Sequence, residues 1–153
     1  RRRMQNSNKI IMFPKEKRPR GYKADTPVIK PTEDGELIKF FDYVRIKSNQ
    51  DSRYKNIIHI PNEGKRSWSY GRKMKAMGLS AGFPDIAVLI PTDVHHGLFM
   101  EMKIFPNKVT ENQEGWLRRL LEMDYCVAVP YSGDEAITIL EWYMANGIAK
   151  ITS

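Results

Sequence analysis

The sequence predicts an α/β domain with a central mixed β-sheet of about four strands flanked by helices. Three observations predict it. Short apolar runs punctuated by Pro and Gly, at 56–60, 85–90, 97–103 and 125–129, read as strands. Apolar residues recur at helical spacing before, between and after these runs. The chain has 153 residues, 41% of them hydrophobic, which is one domain's worth of sequence with a sizeable core.

Residues 1–31 carry four prolines, many bases and little periodicity, and read as a basic, flexible N-terminal arm. Its short apolar piece, Ile10-Ile11-Met12-Phe13, is placed to dock on the domain or on a second subunit. The folded unit is expected over 32–153. Thr32 can cap a helix whose first turn holds Glu33 and Asp34, where negative charge suits the helix dipole. Leu37, Phe40, Phe41 and Val44 follow at helical spacing, and the helix ends near Ile46–Ser48. A loop over 49–52 leads to a strand, Asn56–Ile60, stopped by Pro61. Pro61-Asn62-Glu63-Gly64-Lys65-Arg66 reads as a turn, and 68–77 as a short helix ended by Gly78. Gly82-Phe83-Pro84 is a tight entry to the buried strand Asp85–Ile90. After a turn at 91–96, Gly97–Lys103 returns as a strand, with Leu98, Met100 and Met102 on one face and Phe99, Glu101 and Lys103 on the other. Thr110 caps a helix to about Met123 whose apolar side is Trp116, Leu117, Leu120 and Leu121. Tyr125–Val129 is another buried strand. A last helix starts at Ser132 or Asp134, carries Ala136, Ile137, Ile139, Leu140 and Tyr143, and closes near Gly147.

Composition excludes several classes. One cysteine, Cys126, allows neither an intrachain disulfide framework nor a cysteine-based zinc site. No apolar run is long enough to span a membrane, and no apolar stretch follows the basic N-terminus as a signal peptide would, so a soluble intracellular protein is expected. The net charge of +7 is unevenly spread. Residues 1–30 hold ten Lys/Arg against two acids, and residues 45–75 hold nine against two; the rest is acidic. A basic arm plus a basic middle suits a polyanion such as DNA or RNA, with a merely solubilising tail as the alternative.

The chemistry concentrates on the pair of strands 85–90 and 97–103. Joined by a short turn, they should form an antiparallel hairpin that sets Asp85 beside the Glu101-to-Lys103 end of its neighbour. Glu101 and Lys103 are two apart and share a face. Two carboxylates and one ammonium would then meet on an otherwise apolar sheet. Burying adjacent carboxylates is costly, and a divalent cation removes that cost. Oxygen ligands with few nitrogens or sulfurs select Mg²⁺ or Mn²⁺ over Zn²⁺. A plain salt bridge of Lys103 with Glu101 or Asp85 is the competing reading, and the residues alone leave both open.

Gly82-Phe83-Pro84-Asp85, fifteen residues, then Glu101-Met102-Lys103 looks like the P-D…(D/E)-x-K nuclease motif. Its surroundings sharpen the likeness: Met77 through Asp85, His96 through Lys103, Asn112-Gln113-Glu114-Gly115-Trp116, Gly133-Asp134-Glu135-Ala136, and Pro61 through Arg66. Together these resemble the VRR-NUC (virus-type replication-repair nuclease) family, most of all its small stand-alone phage and bacterial members. The likeness covers roughly 32–143 and leaves the arm uncovered.

The resemblance implies a restriction-endonuclease-like core and a Mg²⁺- or Mn²⁺-dependent DNA endonuclease. It implies that Asp85, Glu101 and the backbone carbonyl of Met102 hold a metal, with Lys103 orienting water and Gln113 close to the cluster. It also implies a further Glu on the first helix as a metal or water ligand, for which Glu33 and Glu36 are available. The centre of that helix's apolar stripe lies about 30° from Glu33 and about 90° from Glu36, at 100° per residue, which favours Glu33. Glu36 is the fallback. Gln113, three after Thr110, also fits a capping box, and both roles can coexist. Arg66, Arg72, Lys73 and Lys75 are candidates to grip backbone phosphates. Structure-selective cleavage of branched, Holliday-junction-like DNA by a homodimer in the cytoplasm of a bacterial or phage-infected cell, in a DNA-repair role, is the expected activity. A non-selective or flap-type nuclease, and a non-catalytic DNA-binding module, are the alternatives.

Several other residues carry a plainer reading beside a functional one. His95-His96 with Asp93 reads as a solvated turn rather than a metal site. His59 reads as a core or edge histidine rather than a cleft residue. Trp68 and Tyr70, interleaved with Arg66, Arg72 and Lys73, suit base stacking or core packing equally. Cys126 reads as core.

Overall fold

In the computed structural model, residues 30–61 and 67–146 are described. The order is α1 (Glu33–Ser48), a 3-10 turn (Ser52–Asn56), β1 (Ile57–His59), α2 (Trp68–Ala76), β2 (Ile86–Val88), β3 (Leu98–Met100), α3 (Glu111–Glu122), β4 (Cys126–Ala128) and α4 (Gly133–Asn146). Among the described residues four strands make one sheet in the order β1-β2-β3-β4. The first two pairings are antiparallel and β3 with β4 is parallel, so the sheet is mixed. The β3–β4 crossover carries α3, as a parallel pair requires.

The sheet separates two cores. Ile57, Ile86, Val88, Leu98, Met100 and Met102 face α1 and α4, where Phe40, Val44, Ala136, Ile139 and Leu140 complete the larger cluster. Ala87, Phe99, Val127 and Val129 face the other way, onto Leu117 and Leu120 of α3. The alternation expected from Leu98 onward is therefore the observed one. Tyr143 locks α4 to the far end of β2 by donating its hydroxyl to the Ile90 carbonyl at 2.6 Å.

The strands are shorter than the apolar runs that announced them. Pro61, Pro91 and Pro130 offer no N–H at their ends, and at the start of β2 the Asp85 side chain takes the N–H of Met102. The β3 chain nevertheless stays tied to the β4 chain beyond the formal strand, through Glu101 N to Ala128 O at 3.0 Å and Lys103 N to Pro130 O at 2.9 Å. The expected loop over 49–52 passes directly into the 3-10 turn capped by Asp51, which seats Tyr54 in the core with its hydroxyl 2.6 Å from Glu141 Oε1.

Thr32 caps α1, its hydroxyl accepting from Gly35 N at 3.0 Å, and Ser132 Oγ accepts from Glu135 N at 3.1 Å at the start of α4. Most of the N-terminal arm, the turn at 62–66 and the closure at Gly147 lie outside the described residues. Among the described residues no helix is long and apolar enough to cross a membrane.

Candidate functional site

Three chain segments meet at one end of the sheet. Register places Ile86 opposite Met100, so the next pair outward is Asp85 and Glu101. Asp85 does not continue the ladder with its backbone alone: its Oδ2 accepts from Met102 N at 3.0 Å, which fixes the carboxylate against the neighbouring strand. The Asp85 carbonyl is held by Ile60 N at 2.8 Å, and His59 Nδ1 lies 2.9 Å from the same oxygen.

Glycine at 82 is what lets the chain arrive there. Its φ is +82°, and a Cβ would sit 2.7 Å from both Asn112 C and Gln113 N at the start of α3. The Gly82-Phe83-Pro84 entry thus lies flat against the first turn of that helix. Phe83 packs edge-on against Phe99 and Trp116, with ring centroids 5.4 and 4.8 Å apart. Trp116 Nε1 donates to Ser80 Oγ at 3.0 Å.

On the face turned toward α3, three polar side chains are buried: Glu101 is 2% exposed, Lys103 6% and Gln113 3%. They form one network. Lys103 Nζ donates to Glu101 Oε1 at 2.8 Å, and Gln113 Nε2 donates to the same oxygen. Gln113 Oε1 accepts from Thr110 N at 2.8 Å, and Gln113 N donates to Thr110 Oγ1 at 3.3 Å. The helix cap and the Glu101 contact therefore coexist in one side chain. The ammonium also lies 3.8 Å from Glu33 Oε1, and Glu33 accepts from Asn107 Nδ2 at 3.2 Å.

The electrostatics follow from this wiring. Burial by itself lowers the Lys103 pKa, but the hydrogen bond and charge of Glu101, then the charges of Glu33 and Asp85, outweigh it and hold the group above its ordinary value. At neutral pH Lys103 is an ammonium. Beyond it lies an open cleft lined by Glu33, Asp34, His59 and Asp85, with Leu37 and Met102 as its apolar walls.

The structure separates the two glutamates of α1. Glu33 reaches Lys103, whereas Glu36 Oε2 accepts from Gly133 N at 2.6 Å and ties α1 to the beginning of α4. His59 lies on the edge strand β1, as one of its readings had it, but it is no core residue: it is exposed and lines the cleft, and its ring stands edge-on to Phe41 at 6.3 Å. A strand of three residues that ends at His59 gives too short an alternation to assign its face. Asp34 and Asn107, which sequence reasoning passed over, border the site too; Asn107 sits in a loop with nothing in its pattern to single it out. Arg72, Lys73 and Lys75 are exposed on α2, and Arg66 lies outside the described residues. Trp68 is 76% exposed, so core packing is not its role. His95 belongs to a turn closed on Thr92, and His96 packs on Tyr125. Cys126 is buried in the sheet, and burial pushes its thiol up to about 11, which makes it inert core. Among the described residues no three Asp, Glu, His or Cys side chains are gathered into a ready-made metal cage; the acids are arranged around the Lys103 ammonium.

Comparison with known proteins agrees with the fold. The family model described as VRR-NUC domain matches residues 33–134, from the first helix to the start of the last. A solved structure described as a VRR_NUC domain protein is 26% identical in sequence, with a TM-score of 0.61; the match covers 76% of this chain and 91% of that one. No curated protein matches the chain.

Proposed function

The chain belongs to the VRR-NUC domain family, a family of nuclease domains, and from that premise we propose that it is a Mg²⁺- or Mn²⁺-dependent DNA endonuclease acting on branched DNA as a homodimer. The observation that carries the reading is the buried Lys103 ammonium, held between Glu101 and Glu33 beside the Asp85 carboxylate at the mouth of an acidic cleft.

The donor set fits a hard divalent cation. Glu33, Asp34 and Asp85 line the cleft, and a phosphodiester is itself an anion. Bringing the two together needs positive charge beyond what Lys103 supplies. Mg²⁺ keeps several of its waters and is commonly held by one or two carboxylates plus substrate phosphate rather than by an all-protein cage, which suits acids not gathered into one. Asp85, Glu101 and the Met102 carbonyl would hold the ion, and Glu33 would complete the site directly or through water. Once bound, such an ion polarises the scissile phosphate and lowers the pKa of its water.

The chain's own groups do the rest. Lys103, kept protonated by its acidic neighbours, orients the attacking water and offsets negative charge developing on the phosphate; a group held above its ordinary pKa is a poor general base at neutral pH. Gln113 is a positioning residue, since its amide fixes one Glu101 oxygen while its own carbonyl is fixed by the Thr110 N–H. Asp85 is positioned by the Met102 N–H. Arg66, Arg72, Lys73 and Lys75, together with the arm, supply phosphate contacts. A four-way junction needs two cuts, and a twofold pair of sites would deliver them.

The test compares the wild type with Asp85→Ala and Lys103→Ala on a four-way junction, a flap, a splayed duplex and linear DNA, in Mg²⁺ and in EDTA. The expected result is junction cleavage in Mg²⁺ alone that both substitutions abolish. Cleavage surviving in EDTA, or untouched by Asp85→Ala, rejects the proposed mechanism; equal cleavage of all four substrates rejects selectivity while keeping the nuclease.

A further inference from the structure

Helix α2 is unlike the others in having no buried residue. Trp68 at its N-terminal end is 76% exposed, and the Arg72 guanidinium lies 4.5 Å from the centre of its ring. The two are four residues apart, so they share a stripe of the helix, and Lys75 at seven falls on the same stripe. A large aromatic side chain left in water costs solvation free energy. Stacking a guanidinium on one ring face stiffens the indole and adds positive charge behind it, while the rest of the ring is presented outward.

We propose that Trp68, backed by Arg72, is a stacking platform for an unpaired nucleobase, so that α2 grips a single-stranded part of the branched DNA that the nuclease cuts. The proposal rests on the nuclease reading for its biological setting but not for its chemistry. Charge chooses the occupant. Residues 64–84 hold five bases and no acid. A second copy of the chain packed here about a twofold axis would set these bases against their own equivalents, which opposes association. A polyanion is attracted by them, and the flat π-face of a base is the part of a nucleic acid that an indole recognises. Within an intact duplex that face is covered by its neighbours, so the platform distinguishes unstacked bases from paired ones. Neither phosphate gripping by lysines nor the acidic cleft makes that distinction.

The test is binding without cleavage. The full chain in EDTA is titrated against fluorescein-labelled oligo-dT and against a duplex of the same length, and tryptophan emission is followed on the same samples. Trp68→Ala is expected to weaken oligo-dT binding about tenfold and duplex binding less than twofold, and to abolish most of the emission quenched on binding. That loss lies within the range measured for base–aromatic stacking. Trp68→Phe should recover most of the affinity, since it keeps an aromatic face. Because Trp68 packs into no core, thermal melting should be unchanged in both variants. Equal losses on both DNAs, or no loss on either, overturn the proposal. So does a wild type that dimerises in sedimentation while Trp68→Ala is monomeric, since that outcome makes a second copy the occupant. Mg²⁺-dependent cleavage, measured separately, keeps the two readings apart. Trp68-dependent binding by a chain that never cuts would fail only the nuclease, whereas Asp85-dependent cutting with unaltered oligo-dT binding in Trp68→Ala would fail only the platform.

Discussion

The acid end of β2 and β3 and helix α2, which precedes β2 in the chain, are built on opposite plans. In the first, Glu101, Lys103 and Gln113 are buried and each is held by named partners, with a helix cap and a strand register behind them. In the second, bases and an indole stand in solvent on a helix with no fully buried residue. A group that must sit within a fraction of an ångström of a reacting phosphate needs rotamers locked by surrounding structure. A group that finds a polyanion by long-range charge needs reach and freedom instead. Under the proposed function, the difference teaches that stability and chemistry would share residues at the sheet end and be decoupled on α2.

The sharpest way to break this contrast is catalytic. Asp85→Ala or Glu101→Ala should lower Mg²⁺-dependent cleavage on the order of 10³-fold, whereas Lys73→Ala with Lys75→Ala should leave turnover at saturating DNA within a few-fold. Equal losses in a single-turnover assay would end the division of labour. Next comes stability. Lys103→Met leaves Glu101 buried beside Gln113 without its ion pair and should cost about 3–5 kcal/mol in urea unfolding; added Mg²⁺ should recover part of that in the variant more than in the wild type. A smaller cost, about 2–4 kcal/mol, is expected for Gly82→Ala, from its positive φ and the close approach to α3; an unchanged urea midpoint would mean that the entry to β2 is not held against that helix. The smallest effect belongs to α2. The Lys73→Ala, Lys75→Ala double variant should unfold within about 0.5 kcal/mol of wild type. Its DNA affinity should fall, and the slope of log K against log salt should lessen by about 0.9 for each phosphate that a removed lysine had neutralised.

Much of the sheet end was legible in the chain itself. The two-residue period of Leu98–Met102 against Phe99–Lys103 assigns faces with no knowledge of the partners, because successive strand side chains point to opposite sides. Thr110 with Gln113 announces a cap, since that spacing returns a side chain to its own helix start. Helical phase favoured Glu33 over Glu36. What phase does not disclose is why Glu36 has another occupation, since its partner, the Gly133 N–H, lies 97 residues along the chain. His59 and Asn107 were illegible for the same reason: each belongs to the site through a contact with a segment distant in sequence.

Periodicity, caps and composition thus determined the element order and the two-faced core, because both depend on neighbours within a few positions, while the likeness of Pro84-Asp85 and Glu101-Met102-Lys103 to a nuclease motif nominated the acidic residues. Only the tertiary structure decided that Lys103 is the point on which three acids bear, that Gln113 serves the cap and Glu101 at once, and that Trp68 is left outside the core. Those outcomes depend on which distant segments come together and how much water they exclude, and local pattern carries no record of either.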